Sequence, residues 1–308
     1  MAGRRRIRTD LALETTERFA QENTEIRGVE IQEDYDEEKD IRTTVVKIVT
    51  ENGAKSMGRP QGNYITIEAP DLSNADEDYH REISQEISRH LRELIDLEKE
   101  KSILVVGLGN AAITADALGP HVIENLHMTR HLIREYGLRG IGQEKIHCVS
   151  GIVPGVMAQT GMECVEILKG VVKETKPDFL ITVDALAARS IRRLGRTIQL
   201  TDTGITPGSG IGNHRNAINR KSVGVPVISL GVPTVVDAAT IVSDAMTEFI
   251  SALSLSDLQK LDERERQELA RELLSPQLNG LFVTPKNIDD SIKNLSFLIS
   301  EGLNIALL

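Results

Sequence analysis

Only two of the 308 residues are cysteine, Cys148 and Cys164, and neither belongs to a CxxC pair, so no disulfide framework holds this chain together. Both read as buried thiols. No apolar run approaches the roughly 18 residues of a membrane span, and no apolar signal core follows the N-terminal MAGRRRIRTD. The expectation is an intracellular protein with no membrane partner. Positive charge is also in short supply: 36 Lys and Arg against 46 Asp and Glu give a net charge of −10. That is the wrong sign for a protein whose main task is neutralising phosphates, so direct nucleic-acid binding is not expected and basic or neutral partners suit it better. Two catalytic signatures are missing as well. There is no HExxH zinc motif and no GxSxG nucleophile elbow.

What is present is ordinary globular material, 40% hydrophobic and 27% charged, in a chain long enough for one large α/β domain or a core with an appendage. The first ten residues carry Arg4, Arg5, Arg6 and Arg8 against Asp10 alone, whereas EIQEDYDEEKD (30–40) is strongly acidic. These read as a basic tail and an acidic loop. RTTVVKIVT (42–50) and NYITIEA (63–69), rich in β-branched residues, flank the Gly- and Pro-containing NGAKSMGRPQG and predict a hairpin around a loop. From Asp76 to Lys101, Ile83, Ile87, Leu91, Leu94 and Ile95 recur at helical steps.

Four apolar runs follow: SILVVG (102–107), KIHCVSGIV (145–153), DFLITVDA (178–185) and VPVISLG (225–231). They alternate with amphipathic stretches near 117–136 and 157–175. Runs apolar on both faces are what a parallel sheet covered by helices requires, so the predicted fold class is α/β, an open, doubly wound, mostly parallel sheet with right-handed crossovers. Helical stretches are predicted after Pro233, from Ser256 through Leu273, and from about Lys286. The expected organisation is a terminal segment 1–10, an N-terminal β-containing appendage 11–100 with a hairpin and a helix, and an α/β core 101–308.

In such a sheet, ligands bind outside the carboxyl ends of the strands. That rule selects the loop Gly107-Leu108-Gly109-Asn110 through Asp116, and Asp184-Ala185-Leu186-Ala187. Gly107, Gly109 and Ala112 fit GxGxxA, but the next strand ends without the acid that would hold a ribose, which disfavours a dinucleotide. Asp116 and Asp184, each at a strand end, can instead share one crevice. Two close carboxylates do not both ionise cheaply, so such a pair can act as general acid and general base on a water. The plainer alternative is that each aspartate caps a helix, Asp184 the one beginning ALAARS. His121, His127 and His131 are placed on one helix, a weak metal candidate, and a metal held by the two aspartates is a further alternative. The glycine-rich loop 208–215 reads as backbone supplying N–H groups and Arg215 to the site.

The motifs GLGN (107–110), TADALGP (114–120), PGVMAQTGME (154–163), VDALAARS (183–190), TDTGITPGSGIGNHR (201–215) and GVPVISLGVPTVVDAATI (224–241), in this order, resemble the spore germination protease family of spore-forming Firmicutes. The resemblance implies an aspartic-type endopeptidase with a core similar to hydrogenase maturation endopeptidases. It implies catalytic aspartates at Asp116 and Asp184, no cofactor and no metal. Gly107, Gly109, Asn110, Gly210 and Arg215 are the candidate substrate-binding residues. It further implies a zymogen and homotetramer of the forespore and spore core, acting on small acid-soluble spore proteins. Arg8-Thr9-Asp10-Leu11-Ala12 resembles the family's processing sequence, which places self-cleavage between Asp10 and Leu11 and moves the net charge from −10 to −13. Ala115 and Ala111-Ala112 depart from the family pattern, which often has Pro and larger residues there, and loosen the expected first loop. The competing class is a metal-binding maturation endopeptidase acting on a metalloprotein client.

Overall fold

The computed structural model describes residues 9–21, 26–73, 77–140, 146–212, 215–242, 245 and 280–308. Its frame is one nine-stranded sheet. The strands are β1 (Val29–Asp36), β2 (Ile41–Ile48), β3 (Gly62–Glu68), β4 (Ser102–Gly107), β5 (Cys148–Ile152), β6 (Phe179–Ala188), β7 (Thr197–Thr201), β8 (Val227–Asp237) and β9 (Phe282–Val283). They lie in the order β1-β2-β3-β7-β8-β6-β4-β5, with β9 beside β8.

Pairing is parallel through β5, β4, β6 and β8, and antiparallel from β8 through β7, β3 and β2 to β1. The parallel centre is where the sequence is apolar without interruption. Ile103 to Val106 are all buried, as are Leu180 to Asp184, because helices cover both faces. The N-terminal hairpin extends this same sheet through the β3–β7 ladder.

One face carries α3 (Glu77–Leu94), α4 (Leu118–Glu124) and the C-terminal helix Ile288–Leu307. Ile83, Ile87 and Leu91, four residues apart, are fully buried there, as are Leu295, Leu298, Ile299 and Leu303 of the C-terminal helix. Burial of each such side chain stabilises the fold by about 1.5–3 kcal/mol. The other face carries α6 (Cys164–Thr175) and α7 (Arg220–Val223), packed on Leu104, Val106, Leu108 and Leu180. Towards the antiparallel side lie α1 (Ala12–Gln21) and α2 (Glu51–Met57), around Val46, Ile48 and Tyr64. Among the described residues no helix is long and apolar enough to cross a membrane.

Several local expectations are corrected. Residues 30–36 of the acidic stretch belong to strand β1 and only 37–40 form a turn, the charged side chains tolerated because the strand is a solvated sheet edge. The hairpin connection contains α2, started by Thr50 Oγ1 accepting from the Gly53 N–H and ended by left-handed Gly58. Strand β6 runs on to Ala188, so Asp184 caps no helix. Likewise β8 continues past Pro233 to Asp237. His121 and His131 stand on different helices, α4 and α5 (Arg130–Gly140), and His121 pairs with Glu124. The helix predicted from Ser256 to Leu273 lies outside the described residues.

Candidate active site

Strands β4 and β6 are parallel neighbours, so their carboxyl ends open onto the same edge of the sheet. The first loop leaves β4 with the Leu108 N–H still bonded to the Val183 carbonyl at 2.8 Å. Gly109 then takes φ +111°, and a Cβ there would stand 2.0 Å from the Asp116 carbonyl oxygen. Only glycine allows this turn. It brings the Asn110 N–H onto Asp116, at 2.8 Å from Oδ2 and 3.1 Å from the main-chain oxygen. Thr234 on β8 fixes the loop from the other side by donating to the Ala115 carbonyl at 2.7 Å.

Asp184 stands where β6 passes the end of β4, 4% exposed, and its Oδ1 accepts from the Ala185 N–H at 3.0 Å. Burial raises its pKa well above the usual carboxylate range, and the nearby charges of Asp116 and Asp10 raise it further against the opposing Ala185 N–H. Burial also raises the pKa of Asp116, partly offset by the Asn110 N–H. Both carboxylates thus hold a proton more readily than an exposed aspartate, with Asp184 the more deeply buried of the two. Such a pair can take a proton from a water and give one to a departing amine.

The crevice is not empty, because the chain's own N-terminal segment lies in it. The Asp10 N–H donates to the Ala187 carbonyl at 2.9 Å, and the Ala187 N–H returns a bond to Asp10 Oδ2 at 2.9 Å. Ser209 Oγ donates to Asp10 Oδ1 at 2.6 Å. A Cβ on Gly210 would stand 2.2 Å from Asp10 Oδ2, so the bare backbone there makes room for the carboxylate. Leu11, fully buried, packs with Leu186, Ala188 and Val236. Further along, Glu14 accepts the N–H groups of Arg189 and Ser190 at 2.7 and 2.9 Å. Arg193 ties Glu14, Glu17 and Glu68 together, which clamps α1 against the sheet. Arg59 donates to the Thr9 carbonyl at 3.1 Å.

The structure thus gathers Asp116, Asp184, Asn110, Gly109, Gly210, Asp10 and Leu11 around one crevice. Gly107 has a packing role instead, since a Cβ there would meet the Gly119 carbonyl oxygen of α4 at 2.3 Å. Arg215 faces Glu163 at 3.8 Å and Met157 Sδ rather than Asp10. Sequence reasoning missed both Gln199 and Ser209. Gln199 Nε2 donates to the Asp10 carbonyl at 3.0 Å, and its Oε1 accepts from the Ala12 N–H at 2.7 Å. The available signal was the alternation in TIQLT: Ile198 and Leu200 enter the core, which leaves Thr197, Gln199 and Thr201 as a polar row that is nevertheless buried.

Fold and site together define a class: an α/β protein with one carboxylate in the loop after a parallel strand, a second on the neighbouring strand, and a stretch of peptide in the crevice beside them. The family model described as germination protease matches residues 7–258 and 251–308. A germination protease of Caldanaerobacter subterraneus subsp. tengcongensis is 48% identical over 98% of this chain and 94% of the relative. One of Clostridium perfringens strain SM101 is 45% identical over 98% of this chain and 95% of the relative. Among solved structures, the NiFe hydrogenase maturation protease HycI from Thermococcus kodakarensis KOD1 is similar over 60% of this chain and 96% of its own, with 18% identity and a TM-score of 0.29. The chain belongs to the germination protease family, and is accordingly a peptidase.

Proposed function

We propose that this peptidase is an aspartic-type endopeptidase that hydrolyses the bond after an acidic residue followed by an aliphatic one, using a water activated between Asp116 and Asp184. It is made as a zymogen, and its first substrate is its own Asp10–Leu11 bond. The observation that carries this reading is the seating of that dipeptide beside the two aspartates: Asp10 on Ser209 and the Ala187 N–H, Leu11 in an apolar pocket. Asp116, ionised, takes a proton from the water. Asp184, protonated, supplies the leaving nitrogen with one. The greater burial of Asp184 supports that division of labour.

In the germinating spore the substrates on this reading are small acid-soluble spore proteins. The resemblance of the sequence supports this substrate class, an assembly of four copies and residence in the forespore and spore core. Cleavage of a synthetic peptide spanning residues 4–16 by the processed enzyme, with and without a chelator, tests the chemistry. A cut after Asp10 at an unchanged rate is expected in chelator. Loss of cleavage in chelator would favour a metal held by Asp116 and Asp184 and overturn the purely carboxylate reading.

A further inference from the structure

Gln199 lies on β7 in the antiparallel part of the sheet, two strands from Asp184. The register nevertheless joins them. Asp184 on β6 and Gln199 on β7 are both paired with Gly231 of β8, so the three form one row across the sheet and the two side chains leave from the same face. With strands about 4.8 Å apart, the two side chains rise roughly 10 Å from each other across a residue that has none. The Leu186 side chain fills the space above Gly231, its Cγ 2.6 Å from where a Cβ would stand, and Leu11 packs on Leu186 as residues 10–12 reach Gln199.

The Gln199 amide straddles the Asp10–Leu11 bond. Its Nε2 holds the carbonyl oxygen on one side of that bond and its Oε1 holds the N–H of Ala12 beyond it. The orientation of the amide is fixed by chemistry: a carbonyl can only accept and a peptide N–H can only donate, so a flipped amide would lose both bonds. Gln199 is 6% exposed, and its strand pairs with both β3 and β8, so its backbone is held on two sides.

We propose that Gln199 is a catalytic residue of the cleavage, the donor that aligns the scissile carbonyl and receives the charge that develops on its oxygen. The proposal rests on the reading that Asp10–Leu11 is the bond cut. As the water oxygen bonds to the Asp10 carbonyl carbon, the water proton passes to the ionised carboxylate of the pair and the carbonyl π electrons move onto the oxygen facing Gln199 Nε2–H. On collapse that electron pair returns, the C–N bond breaks, and the Leu11 nitrogen takes the proton of the other carboxyl. The products are an Asp10 carboxyl terminus and a Leu11 amine. A donor placed before the reaction strengthens as the oxygen gains charge, so its contribution falls mainly on the rate of the chemical step.

The test is self-processing of the full chain, followed by intact mass, for wild type, Gln199→Leu and the isosteric Gln199→Glu, with folding checked by thermal melting. Wild type is expected to lose residues 1–10. At neutral pH both variants should process about 100-fold more slowly or worse, the range seen when an oxyanion donor is removed. In Gln199→Glu the deficit should narrow on acidification, because a protonated carboxyl regains an O–H donor, whereas in Gln199→Leu it should persist. A folded variant that processes within threefold of wild type at neutral pH, or a Glu deficit that is the same at every pH, would overturn the donor role while leaving the processing site intact. A wild-type cut at another bond would overturn the processing-site reading and the proposal together.

Discussion

The two halves of the sheet do different work in this protein. The parallel half, β5-β4-β6-β8, carries both aspartates, Asp116 in the loop after β4 and Asp184 on β6 where it passes the end of β4. The antiparallel half, β7-β3-β2-β1, carries Gln199 and the surfaces that anchor α1 and the segment before it. The parallel half holds both carboxylates and also grips Asp10 and Leu11 through Ala187, Leu186, Ala188 and Val236, whereas the antiparallel half contributes grip alone. Parallel strands deliver side chains to a common edge because all of them end there, which suits carboxylates that must meet. An antiparallel extension instead offers a long, laterally continuous face, which suits holding an extended peptide at several points.

That division predicts where substitutions should hurt most. Asp184→Asn or Asp116→Asn should leave the grip intact and remove the chemistry, slowing self-processing by about 10²–10⁴-fold as followed by intact mass. Gly210→Ala should do the reverse. Its Cβ would intrude on the Asp10 carboxylate, 2.2 Å away, and displacement of the dipeptide by about 1 Å costs on the order of 100-fold in rate. If Gly210→Ala matured normally, the acid-binding part of the grip would be misassigned.

Smaller effects should appear in stability. Arg193→Ala leaves the buried Glu14 without its cation and frees Glu17 and Glu68, so α1 should loosen. A loss of about 2–3 kcal/mol in denaturant unfolding is expected, less than for a wholly buried pair because Glu17 is half exposed. Resistance of the α1 segment to limited proteolysis should fall with it.

Asp184 supplies the subtlest test. Its pKa is raised on folding, so the native state binds a proton more tightly than the unfolded chain does. The resulting stability is fully present below the unfolded aspartate value of about 4 and is lost as pH climbs through the folded value. Asp184→Asn cannot ionise. It should therefore melt higher than wild type at neutral pH, with the advantage shrinking towards zero at about pH 4. An advantage that did not depend on pH would mean that Asp184 titrates normally.

The same contrast explains what could be read in the sequence. SILVVG and DFLITVDA announce buried parallel strands, and the rule that sites lie at carboxyl ends nominates Asp116 and Asp184, although helix capping fits both residues equally well until the family motifs are weighed. The grip was harder to see because it depends on register. Gln199 matters through its alignment with Gly231 and Asp184, and no local pattern encodes a row across three strands. The extension of β6 to Ala188 was hidden because ALAARS has good helix formers, and the ladder to β8 overrides that preference. Arg215 was placed at the site by its glycine-rich neighbours, yet it turns to Glu163. Ser209 in the same loop proved to be the residue that meets Asp10.

The most direct measurement is the N-terminal identity of the purified full chain after mild acidification, for wild type and for Asp184→Asn side by side. The account predicts that wild type begins at Leu11 and that the variant stays whole. Cleavage of the variant at wild-type speed, or a wild-type terminus at some other residue, would contradict it.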